Sequence, residues 1–84
     1  MNKKIAVHKN VARCTITEME DIERGIRYFT AVINGWNNFR FIPHSSNVSS
    51  TDLLEKVCKK VEFIRDELDK DESFINTFVS VFIL

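Results

Sequence analysis

Two histidines, His8 and His44, are the side chains of this chain best suited to proton transfer near neutral pH. Two imidazoles can act as acid and base in ribonuclease-type cleavage, provided that they meet. His8 falls beside an expected turn and His44 follows an expected strand. No Gly-rich phosphate cradle and no nucleophile motif accompanies them. The expectation is two surface histidines, no catalytic set and no enzyme. Cys14 and Cys58 stand in neither a CxxC nor any zinc spacing, so they read as reduced, small core residues. The acids of residues 62–72 (Glu62, Asp66, Glu67, Asp69, Asp71 and Glu72) are interrupted only by Arg65 and Lys70 among the bases. Asp69-Lys70-Asp71-Glu72 lacks the Gly and the later Glu of a calcium loop, so no metal or other cofactor is expected. An acidic face of this kind serves either as a solvated helix end or as a dock for a basic partner.

Other residues have the character of contacts. The stretch "INGWNNFRFIPHSS", residues 33–46, holds the only Trp and the only Pro of the chain. Trp and Arg are the commonest interface anchors, which singles out Trp36 and Arg40. Phe63 lies opposite the apolar stripe of an expected helix, ringed by Lys56, Lys59 and Lys60. That combination fits partial cover by lysine stems, or a contact for an acidic protein or a phosphate backbone. Phe78 and Phe82 belong to "FINTFVSVFIL", which is apolar on both faces. The candidates for partner binding are therefore Trp36, Arg40, Lys56, Lys59, Lys60, Phe63, Asp66, Glu67, Asp69, Phe78 and Phe82.

The elements that must position them follow from periodicity. "KKIAVHKNVARCTIT" alternates, with a phase change near Lys9-Asn10. A two-residue loop there pairs Val7 with Ala12, Ile5 with Cys14 and Lys3 with Ile16 in a β-hairpin; the rival is one long, bent strand. Thr17-x-x-Glu20 has the form of a capping box. Met19, Ile22, Ile26, Phe29 and Ile33 then recur at steps of three and four, which predicts a first helix ended by Asn34-Gly35. "FRFIP" predicts a short strand with Phe39 and Phe41 on one face and Arg40 and Ile42 on the other. Ser50 or Thr51 caps a second helix through about Asp69, with a stripe of Leu54, Val57, Cys58, Val61, Ile64 and Leu68. The C-terminal segment reads as a central strand. Either Phe78, Phe82 and Leu84 or Val79, Val81 and Ile83 meet the helices, and the other row lacks cover.

The order ββαβαβ predicts an α+β fold. It is a single small domain over 1–84: a two-layer sandwich of a four-stranded sheet with two helices on one face. Eighty-four residues leave no room for a second domain. Twelve basic residues balance twelve acidic ones, which argues against a dedicated nucleic-acid binder. The N-terminal "MNKKIAVHKN" lacks the apolar run of a signal peptide, and the longest apolar stretch, "FVSVFIL", is far short of a membrane span, so no membrane association is expected and the cytosol is the expected compartment. The general make-up is similar to that of small inhibitor proteins, such as toxin-immunity proteins and phage-encoded blockers of bacterial defence. That likeness is one of class and carries over no residues. It implies a protein partner whose functional site is occluded. The second class is a small nucleic-acid-binding regulator using Lys3, Lys4, Lys9 and Arg13 with the lysines of the second helix. The third is a small hydrolase or nuclease. The uncovered apolar row adds a homodimer as a further expectation.

Overall fold

The computed structural model describes residues 1–45, 47–73 and 80–84 of the chain. Its elements are strands β1 (Asn2–Val11), β2 (Cys14–Asp21), β3 (Ile26–Ile33) and β4 (Trp36–Ile42), helix α1 (Ser50–Lys70) and strand β5 (Val81–Ile83). Among the described residues the sheet runs β1-β2-β3-β4-β5. The first four strands form an antiparallel meander, and β5 returns parallel to β4 after the helix. The expected four-stranded sheet under two helices is thus corrected to a larger mixed sheet carrying one helix.

The correction concerns residues 17–36. They form a hairpin and not a helix: Cys14 to Asp21 pair residue by residue with Ile33 back to Ile26. Strand alternation decides it. Cys14, Ile16, Phe29, Ala31 and Ile33 are all buried under α1, while Ile22, a member of the expected helical stripe, is 53% exposed. Thr17 and Glu20 lie within β2, so they cap nothing. Gly25 closes the four-residue loop after Asp21 with φ 67, a conformation open to Gly at little cost. The Asp21 side chain accepts from the Arg24 N–H, and its carbonyl accepts from the Gly25 N–H. Asn34-Gly35 likewise ends no helix. Both residues have positive φ, 51 and 87, as a type I′ turn requires, and they join β3 to β4.

The first hairpin forms, but its turn is Ala12-Arg13 and not Lys9-Asn10. Lys9 is paired with Ile16, Val7 with Thr17 and Val11 with Cys14. The phase change in the sequence comes from two register shifts, between Lys4 and Ala6 and between Val7 and Lys9. A bulge slips the alternation just as a turn does, because each inserts a residue out of phase.

Helix α1 begins one residue beyond its cap, Ser49, whose side chain accepts from the Asp52 N–H at 3.1 Å. Leu53, Val57, Val61, Ile64 and Leu68 make its buried stripe; Leu54 and Cys58 sit at the edge. They pack on Ile16, Phe29, Ala31, Ile33, Phe39 and Phe41. Phe29, Phe39 and Phe41 are each at most 1% exposed, and truncating any one to Ala costs about 3–5 kcal/mol. Phe82 joins this side, its ring stacked on Phe41 at 5.0 Å, while Val81 and Ile83 are exposed. Of the two alternatives for the C-terminal row, this places Phe82 toward the helix. Phe78 and Val79 lie outside the described residues, as does most of the expected central strand. Both cysteines are free, Cys14 buried and Cys58 half-buried. Among the described residues no helix is long and apolar enough to cross a membrane.

Candidate functional site

The two two-residue turns and the end of α1 converge at one pole of the molecule. Arg13 occupies φ 72, where a side chain costs roughly 1 kcal/mol that Gly would not incur. Its retention there has a visible reason. Its guanidinium grips Asp69 at 2.8 Å (Nη1 to Oδ1) and 3.3 Å (Nη2 to Oδ2). Its carbonyl accepts from the Asn34 N–H, and the Asn34 side-chain amide donates to Asp69 Oδ1 at 2.8 Å. One carboxylate therefore holds both turns against the helix. The hydrogen bond from Arg13, and then that from Asn34, hold the Asp69 carboxyl below its ordinary range, while the same Arg13–Asp69 bond raises the guanidinium.

Beside this clamp opens a cleft of about 390 Å³. Trp36 forms one wall and is 40% exposed. Asp69, Asp71 and Glu72 supply its charge, Leu68 and Asn34 its apolar and amide surface, and Lys70 and Arg13 its bases. A helix C-terminus already carries partial negative charge, and acids there oppose the macrodipole. Asp66, Glu67, Asp69 and the cap residue Asp71 all sit in or just past the last turns, where only Lys70 complements the dipole. Their concentration is unfavourable to the helix and favourable to a cation. Ser73 donates to Asp71 Oδ1 from both its N–H and its hydroxyl, which lowers the Asp71 carboxyl and keeps it charged.

The structure brings together Trp36 and Asp69, and adds Arg13 and Asn34, which sequence reasoning placed elsewhere. Asp66 and Glu67 lie on the helix just before the cleft, 3.6 Å from Arg65 and 3.9 Å from Lys70 respectively. Arg40 lies apart on the sheet face opposite α1, its guanidinium 5.2 Å from the ring centroid of Tyr28. Lys56, Lys59, Lys60 and Phe63 occupy the outer side of α1. Phe63 is 48% exposed, and Lys60 Nζ lies 5.4 Å from its centroid and 5.2 Å from that of Phe82. Phe82 is half-buried in the core margin, and Phe78 lies outside the described residues. The basic N-terminal group is divided: Lys9 reaches Glu62 at 3.3 Å and Arg13 holds Asp69, leaving Lys3 and Lys4 exposed on β1.

No family model, curated protein or solved structure matches this chain.

A second constellation escaped the sequence. His8 is the residue inserted at the second bulge of β1, and its Nε2–H donates to Glu18 Oε1 at 2.6 Å. Glu18 is 4% exposed on the helix side of β2, its Oε2 has no hydrogen-bond partner among the described residues, and Arg27 approaches it at 3.8 Å. The imidazole also packs on Phe29, 5.6 Å between centroids. His44 is engaged separately, its Nδ1–H donating to the Leu84 carbonyl at 2.9 Å. Each histidine thus has its own partner, and among the described residues no nucleophile joins either of them. The only advance signal for the Glu18 contact is that Glu18 falls in phase with Cys14 and Ile16.

Proposed function

We propose that the protein is a small non-enzymatic binding module that docks a basic segment of another protein in the Trp36 cleft and so occludes that partner's functional site. The observation that carries this reading is an exposed tryptophan walled in with Asp69, Asp71 and Glu72 at a helix C-terminus. An arginine or lysine entering the cleft meets a π-face, fixed carboxylates and the negative end of a helix dipole at once. The strained Arg13 turn fits a site kept in shape before its partner arrives. Inhibitors that cover nucleic-acid-binding surfaces need this chemistry, because those surfaces are basic. Immunity to a toxin or blockade of a host defence are the biological settings it suits.

Trp36 is the only tryptophan, so its fluorescence reports directly on the cleft. Titration with an Arg/Lys-rich peptide should give a saturable change in emission that weakens with salt. It should be lost in Asp71→Lys/Glu72→Lys. Equal responses to acidic and basic peptides, or to wild type and variant, would overturn the reading.

A further inference from the structure

The outer side of α1 carries its charges in a particular order. Around Phe63 the bases Lys59 and Lys60 come four and three positions before, and the acids Asp66 and Glu67 three and four positions after. At 100° per residue, Lys59 and Asp66 fall on one flank of Phe63 and Lys60 and Glu67 on the other. We propose that this face is a self-complementary seam on which a second copy of the chain docks with its α1 antiparallel, Phe63 against Phe63.

A two-fold axis through such a contact reverses direction along the helix and keeps each flank on its own side. Lys59 of one copy then faces Asp66 of the second, displaced by one residue, or about 1.5 Å along the axis. The same operation sets Lys60 opposite Glu67, and Lys60 can keep its place over Phe63 and Phe82. Symmetry makes each pair occur twice. Lys56 and Lys70 come level at the two ends of the seam as like charges, a contact that opposes the four ion pairs. There Asp52 lies on the flank of Lys70, one turn further out.

A foreign partner would need acids followed by bases around a central apolar residue, and this helix read backwards supplies that pattern. The centre suits the role: Phe63 is half exposed and ringed by charges, the arrangement of an interface anchor with a polar rim. Among the described residues, the contact that Asp66 makes within its own chain is one it can give up. Arg65 lies 3.6 Å from Asp66, whose side chain is 64% exposed, and such a solvated pair exchanges readily.

The test is sedimentation equilibrium of wild type, Lys59→Glu, Asp66→Lys and an equimolar mixture of the two variants, with circular dichroism to show that each folds. Wild type should approach twice 9.8 kDa as concentration rises. Either variant alone should dimerise about tenfold more weakly or worse, because both symmetric pairs become like-charged. The mixture should recover the dimer. There the introduced glutamate of one chain meets the introduced lysine of the other, and the unaltered Asp66 of the first meets the unaltered Lys59 of the second. Phe63→Ala should weaken every dimer. A wild type that stays at 9.8 kDa up to about 1 mM, a range that reaches even weak contacts, overturns the proposal. So does a dimer indifferent to the charge reversals, or a mixture that fails to rescue.

Discussion

Gly25→Ala separates a hairpin from a helix over residues 17–36 by the sign of its effect. In an exposed helix the substitution stabilises by about 1 kcal/mol, because Ala outranks Gly in propensity. In the hairpin Gly25 has φ 67, and a Cβ built there meets nothing within 4 Å. The cost is therefore purely conformational: about 1–2 kcal/mol for a left-handed L-residue, less the roughly 0.4–1 kcal/mol that Ala removes from the freedom of the unfolded chain. The net expectation is a loss of about 0–1.6 kcal/mol, centred near 0.8. With a urea m-value near 1 kcal/mol/M for a domain of this size, the midpoint should fall by about 0.8 M, and by no more than about 1.6 M, at unchanged m. Gly25→Asn should fall less, since Asn tolerates the left-handed region. A midpoint that rises with Ala, with Asn below it, would refute the hairpin and restore the helix.

His8→Ala should cost about 1–3 kcal/mol in denaturant unfolding, because it removes the hydrogen-bond partner of the buried Glu18 carboxylate. His8→Val with Glu18→Leu should recover most of that loss, and a silent single variant would refute the pairing. Asp69 titrates below its ordinary value because of Arg13 and Asn34, so its contribution is complete above about pH 4 and vanishes as pH falls through its lowered folded value. Melting temperature against pH should therefore fall less steeply below about pH 4 in Asp69→Asn than in wild type, and parallel curves would count against the clamp. Phe82→Asp should lower the melting temperature and not merely alter association, since the ring stacks on buried Phe41.

Helix α1 was legible because its signals are local. Apolar residues every three or four positions lie within one continuous segment; the cap is Ser49 and not the expected Ser50 or Thr51, and the buried stripe differs mainly in having Leu53 for Leu54. The β4 pattern was legible for the same reason, Phe39 and Phe41 alternating with Arg40. Residues 17–36 were not, because Met19, Ile22, Ile26, Phe29 and Ile33 imitate helical spacing across what is a turn. Sheet pairing obeys partners distant in sequence, so the competing alternation of Cys14, Ile16 and Glu18 gains its meaning only beside Phe29, Ala31 and Ile33. Glu18 obscured that alternation by being polar and inside. Trp36 and Asp69 were each conspicuous alone. Their meeting depends on an Asn34-Gly35 turn that reads equally as a helix stop, and on an Arg where backbone geometry favours Gly. His8 was hidden by a bulge, which periodicity records only as a slip.

The connections between strands set an order of assembly. Loops of two, four and two residues join β1 to β4, so each pairing forms at small cost in chain entropy. Strand β5 must instead find β4 across everything between Ile42 and Val81, helix included. Local contacts form early and distant ones late. The meander is therefore the nucleus, α1 condenses on it, and β5 closes last. Rate measurements on conservative variants should give high φ-values at Ile16 and Ala31 and values near zero at Val81. A chain still emerging from a ribosome then holds a half-built sheet whose β4 edge stays open until Val81–Ile83 arrives. During that interval β4 presents unpaired backbone groups to any passing strand, and the short stretch Val81–Ile83 serves as a stopper as much as a support.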